Sequence, residues 1–187
     1  MNTRYPHKIR IISGKYKGKL IPVAEREGLR PTPDRLREII FSWLEGKIEN
    51  KRVLDLFAGS GVLGFEAISR GAAALTLVEL NQESCKDLEH LASGFTAGKI
   101  RVIHADALKF LETAAPEFDL VFLDPPYKLK ILEEVMHSLQ QHRLIHQNSL
   151  IYTEMRNGSS AFFPGYELIR ENCAGQVKFS LWKLSSF

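Results

Sequence analysis

The sequence has no apolar run longer than a strand needs, so nothing in it reads as a membrane-spanning helix. Its start, MNTRYPHKIR, lacks the apolar stretch of a secretion signal, and the expectation is a soluble, cytoplasmic protein with no membrane partner. Cysteine is nearly absent. Cys85 and Cys173 stand alone and far apart, which excludes a disulfide framework or a cysteine-ligated zinc centre and fits a reducing compartment. There is no internal repeat and no low-complexity tract. Wholesale disorder is excluded as well, because 44% hydrophobic and 25% charged residues lie close to globular averages. The last absence is local: no aspartate or glutamate occurs before residue 20, whereas Arg4, Lys8, Arg10, Lys15, Lys17 and Lys19 do. Such a segment suits a polyanion, since each cation that neutralises a phosphate releases condensed counterions. A solvated basic face on a hairpin has the same composition.

What is present begins with two short apolar stretches, 8–13 and 17–23, around Gly14-Lys-Tyr-Lys-Gly18, a pattern that predicts a hairpin. Leu29-Arg-Pro-Thr-Pro33 is a stiff lead into a helix over Asp34 to Leu44, with Leu36, Ile39, Ile40, Trp43 and Leu44 at helical spacing and Asp34 as cap or first-turn acid. From Arg52 the pattern becomes strands (52–57, 74–79, 100–104, 118–123) alternating with helices (62–70, 82–93, 106–114), which predicts a parallel sheet covered on both faces. A helix near 129–141 and strands at 149–154, 167–170 and 176–183 complete the chain, the last two pairing antiparallel through Asn172-Cys-Ala-Gly175.

Asp55-Leu-Phe-Ala-Gly59-Ser-Gly61-Val-Leu-Gly64 leaves the first parallel strand for a helix, with Glu79 ending the next strand. The glycine spacing alone matches a dinucleotide site, so a nicotinamide oxidoreductase is one reading. The charges favour another ligand. Asp55, Glu79, Asp106 and Asp124 all fall at strand ends, gathering carboxylates at one edge of the sheet, where a pyrophosphate is repelled and a cation welcomed. S-adenosylmethionine, with its sulfonium, ammonium and ribose diol and no phosphate, fits. For each acid taken singly, and for Asp106 above all, capping the following helix is the alternative.

The stretch Phe122-Leu-Asp-Pro-Pro-Tyr-Lys128 places two prolines and an aromatic ring directly behind a carboxylate. Proline fixes φ near −65° and donates no hydrogen bond, so this corner is stiff. Asp55-Leu-Phe-Ala-Gly-Ser-Gly61 together with Asp124-Pro-Pro-Tyr127 resembles the paired signature of S-adenosylmethionine-dependent amino-group methyltransferases. Arg10-Ile-Ile-Ser-Gly14-Lys-Tyr-Lys-Gly18, Gly28-Leu-Arg-Pro-Thr-Pro-Asp-Arg-Leu-Arg-Glu38 and Ala174-Gly-Gln-Val177 extend that likeness. Across nearly its whole length the chain resembles the bacterial 16S rRNA (guanine(966)-N(2))-methyltransferase family. Ser13, where glycine is expected, and Tyr127, often phenylalanine, are the departures.

The resemblance implies a Rossmann-like class I methyltransferase fold over 29–187: a mostly parallel seven-stranded sheet with an antiparallel last strand and helices on both faces. Residues 1–28 form an N-terminal β-hairpin extension for RNA contact. It implies methyl transfer from S-adenosylmethionine, released as S-adenosylhomocysteine, to the N2 amine of guanine 966 in 16S ribosomal RNA, within the small subunit or an assembly intermediate, by a monomer. The cofactor would touch Arg30, Thr32, Asp55, Phe57, Gly59, Ser60, Gly61, Glu79, Leu80, Asp106, Ala107 and Asp124. At the catalytic corner of Asp124, Pro125, Pro126 and Tyr127, a swung-out base stacks on Tyr127 for about 1–3 kcal/mol. There its amine, a poor nucleophile, is held by the Asp124 carboxylate and the Pro125 carbonyl. Arg10, Lys15, Lys17 and Lys19 would grip phosphates near the active edge, with Tyr16 stacking or packing. An adenine-N6 methyltransferase of RNA or DNA and a non-catalytic RNA-binding module are the other readings. No metal is expected, since His142 and His146 lack a third ligand and Leu144-Ile145 suggest that the helix ends there.

Overall fold

Parallel strands buried on both faces carry apolar side chains at every position, and the run Phe118-Asp-Leu-Val-Phe-Leu123 does this almost without interruption. In the computed structural model, which describes residues 7–23, 34–115, 117–126 and 129–186, that run is one of seven strands in a single sheet. A hairpin of β1 (His7–Arg10) and β2 (Leu20–Val23) comes first, then α1 (Asp34–Trp43). β3 (Arg52–Asp55), α2 (Val62–Ser69), β4 (Ala74–Glu79), α3 (Gln82–Ala92), β5 (Lys99–His104), α4 (Ala107–Thr113), β6 (Phe118–Leu123), α5 (Leu129–Gln141) and β7 (Ile145–Arg156) then alternate. β8 (Tyr166–Ala174) and β9 (Val177–Leu184) close the chain.

The strand order is β5-β4-β3-β6-β7-β9-β8, parallel from β5 through β7, with β9 inserted antiparallel to both its neighbours. The order reverses between β3 and β6, and a crevice outside the carboxyl ends of strands at such a point is where open α/β sheets bind ligands. Alternation along each strand divides the interior. Val53, Leu120 and Phe122 join one core with α1, α2 and the hairpin, while Leu54, Val121 and Leu123 join a second with α4 and α5.

The hairpin is clamped to the first of these cores. Ile9, Ile11, Ile21 and Val23 are buried in it. Its ladder is shorter than the sequence pattern suggests because the Ile12 and Ser13 amides turn away to donate to the buried Glu66 carboxylate at 2.7 and 3.0 Å. Arg70 Nε donates to the same carboxylate at 2.8 Å, and the fully buried Arg37 guanidinium lies 3.7 Å from it and donates to the Arg10 carbonyl at 3.0 Å. At the tip the Lys15 amide reaches the Ser69 carbonyl at 2.7 Å. Only glycine suits position 14: φ is +83°, and a Cβ would come within 1.8 Å of the Ser69 oxygen.

Candidate active site

At the reversal point the chain leaves β3 through Asp55 and turns at Gly59 and Gly61, both at positive φ, into α2. Gly64, one turn into the helix, lets α2 approach β4, since a Cβ there would stand 2.8 Å from Leu75 and Leu77. Two acids fasten this turn. Asp55 accepts from the Gly64 amide at 3.1 Å, and Glu79 accepts from the Gly59 amide at 2.9 Å and the Asn81 amide at 2.8 Å. Leu80, beside Glu79, is 67% exposed. Phe57, Gly59 and Ser60 are half-buried, and Gly61 and Ala107 are buried. Asp106 caps α4, accepting from the Leu108 and Lys109 amides at 3.0 and 3.1 Å.

Asp124 follows β6 half-buried, Pro125 is buried and Pro126 exposed. Asp55 pairs with Phe122 in the sheet, and Phe122 with Tyr152. Counting two residues on from Phe122, Asp124 falls on the same face as Asp55 and beside it. The register also exposes an acid that sequence reasoning left out. Glu154 follows Thr153, the last residue of β7 paired with β6, as Asp124 follows its partner Leu123; it is 5% exposed, with the Tyr152 hydroxyl donating to its Oε1 at 2.8 Å. The signal was available, because Glu154 closes the run Ser149-Leu-Ile-Tyr-Thr-Glu154 as Asp55 and Glu79 close theirs.

The electrostatics follow from this crowding. Burial, then the charges of Asp124 and Glu79, push the Asp55 carboxyl up to about 7 against the opposing Gly64 N–H. Burial raises Asp124 too. Glu154 is raised by burial, then by Asp124 and Asp55, with the Tyr152 hydroxyl working the other way. An edge that forces its own carboxyls toward neutrality fits a cationic ligand and disfavours a phosphate-bearing one.

The other expected residues are distributed unevenly. Arg30, Thr32 and Tyr127 lie outside the described residues. Arg10 is exposed on β1. Lys15, Lys17 and Lys19 are not brought to the glycine turn: the hairpin tip is bonded to Ser69, the last residue of α2, whose eight residues span about 12 Å at about 1.5 Å each. Lys15 and Lys17 are exposed there. The Lys19 amine donates to the Gly94 carbonyl at 2.7 Å and sits 4.7 Å above the Phe95 ring. Tyr16 packs: its ring lies 4.6 Å from that of Phe95, and its oxygen accepts from the Thr96 and Ala97 amides at 2.7 Å each. His142 follows α5, whereas His146 stands on β7 with Nε2 3.2 Å from Asp119 Oδ1, so the two do not share a helix.

Residues 9–183 match the family described as Conserved hypothetical protein 95. The Ribosomal RNA small subunit methyltransferase D of Escherichia coli strain K12 is 39% identical over 178 residues, covering 94% of this chain and 90% of its own. Its namesake in Haemophilus influenzae is 36% identical over 181 residues, 94% of each chain. Among solved structures, the Escherichia coli protein yhhF superposes with a TM-score of 0.87 at 37% identity, covering 95% of this chain and 98% of its own.

Proposed function

The chain belongs to the family described as Conserved hypothetical protein 95, and we propose that it methylates the exocyclic N2 amine of a guanine, guanine 966 by resemblance, in 16S ribosomal RNA. Its relatives are named as methyltransferases of small-subunit ribosomal RNA, which supports that activity. The observation that carries the chemistry is the gathering of carboxyls at one edge of the sheet: Asp55 and Glu79 fasten the glycine turn, and Asp124 and Glu154 follow on the neighbouring strands. S-adenosylmethionine supplies, when bound, a methyl on a positively charged sulfur. Asp55, Glu79 and the glycine turn would hold it, with Leu80 against an apolar face, Phe57, Ser60, Asp106 and Ala107 along the rim, and Arg30 and Thr32 closing one side.

The work left to the chain is to present the amine. Asp124 and the Pro125 carbonyl are its acceptors, and both favour the positive charge that grows on nitrogen during transfer. The prolines hold those acceptors still, and Tyr127 offers the stacking face. Arg10, Lys15 and Lys17 would meet phosphates beyond the target base, whereas Lys19 anchors the hairpin turn as well. The substrate is the small subunit or an assembly intermediate, the enzyme a cytoplasmic monomer.

Unmethylated small subunits incubated with S-adenosylmethionine, followed by mass mapping of the nucleotides, test this directly. One N2-methylguanine is expected; a methyl on adenine N6 instead would establish the alternative substrate. Asp124→Ala is expected to lower single-turnover transfer by at least ~100-fold without unfolding the protein. Full methylation by that variant would mean that the corner is only structural.

A further inference from the structure

Glu154 is a buried carboxyl to which the chemistry above gives no task. Leu123 pairs with Thr153 in the parallel register, so one step further along both strands Asp124 stands beside Glu154, on the face that carries Phe122 and Tyr152. The groups that face Glu154 are Asp124 beyond β6, Asp55 on β3 and the Tyr152 hydroxyl on its own strand. Its partner on β9 is the apolar Phe179, and the cations Arg37 and Arg70, on the helices that cover this face, are engaged by Glu66. Two adjacent carboxyls in one half-buried corner disfavour each other's ionised form, burial adds to this at both, and a positive charge nearby relieves it.

We propose that Asp124 and Glu154 work as a carboxyl pair that releases a proton when the cationic methyl donor enters and takes up the amine proton when that positive charge disappears. The proposal rests on the methyl-transfer reading of the site. Beside the sulfonium the pair carries two negative charges. As the N–C bond forms, the C–S bond breaks with its electron pair left on sulfur, and the N–H proton passes to Asp124 and is shared with Glu154. The pair then carries one negative charge beside a neutral thioether, so the summed charge of pair and cofactor is the same before and after. Asp124 touches the amine, and Glu154 is a positioning residue that acts through it.

Calorimetry of S-adenosylmethionine and S-adenosylhomocysteine binding near pH 7, in buffers of differing ionisation enthalpy, counts the protons each ligand displaces. The cationic ligand is expected to displace more, by up to about one proton. Glu154→Gln keeps the shape and cannot ionise, so it is expected to remove most of that difference and to slow single-turnover transfer on the order of tenfold. Equal displacement by the two ligands in the wild-type chain overturns the proposal, as does an undiminished difference in the variant. The wild-type comparison stands even if the variant does not fold. Failure of the underlying reading looks different: neither ligand binds, or Asp124→Ala methylates fully.

Discussion

At the carboxyl edge of the sheet Asp55, Asp124 and Glu154 are drawn toward their neutral forms, whereas at the amino edge Asp119 is held ionised. Burial works against Asp119 as it does against the others, yet the Arg52 N–H, His146 and Lys51 hold its carboxyl below the usual range. Glu66, buried under the hairpin, is likewise supplied, with two backbone amides and two guanidiniums. Among the described residues, Asp55 and Glu154 each accept one hydrogen bond, from Gly64 and Tyr152, whereas Asp119 and Glu66 are each met by several donors and cations. Fewer donors, added to burial, separate the proposed site from the structural acids.

The strongest way to break this comparison is to strip the satisfied end. Glu66→Ala leaves the buried Arg37 guanidinium with Asp34 and the Arg10 carbonyl but without its carboxylate on α2, and the Ile12 and Ser13 amides unpaired. It should destabilise the protein by about 3–5 kcal/mol in denaturant unfolding; a loss below 1 kcal/mol would show that the clamp is dispensable. The reverse effect is expected at the other end. Because the Asp55 carboxyl is raised in the folded state, its proton is bound more tightly there than in the unfolded chain, and stability falls as pH rises from about 4 through 7. Asp55→Asn, which can still accept from Gly64, should therefore stabilise the ligand-free protein by about 1–3 kcal/mol at pH 8 and leave it unchanged near pH 4. Asp119 has the opposite sign: its contribution is present above the ordinary carboxyl range and lost as pH falls through it. Thermal melts of Asp55→Asn and Asp119→Asn across pH that moved in the same direction would erase the contrast. The smallest effect concerns RNA. Replacing Lys15 and Lys17 by glutamine should weaken binding severalfold and flatten the logarithmic salt dependence by about one unit per lysine, with S-adenosylhomocysteine affinity unchanged.

Much of this was legible beforehand. The glycine turn, the acids at the strand ends and the helix-covered parallel strands are local patterns, and β4 and β6 fall where the apolar runs place them. The helix ends before His146, as Leu144-Ile145 suggest. Two things were not legible. Lysines on a glycine-flanked turn look free in sequence, but Ser69 binds that turn from a helix more than fifty residues away. Glu154 meets Asp124 and Asp55 only through the strand order β3-β6-β7, in which β3 and β6 are neighbours in the sheet but not in the chain.

The sequence by itself determined that this is a helix-covered parallel sheet with an acidic open edge and a rigid corner, since periodicity, glycine turns and prolines act within a few residues. Only the tertiary structure decided which acids share a neighbourhood and which are neutralised. Strand order sets Asp124 between Asp55 and Glu154, and bonds to Glu66 and Ser69 hold the basic hairpin against α2. Electrostatic energy depends on distance through space, and chain separation does not report that distance.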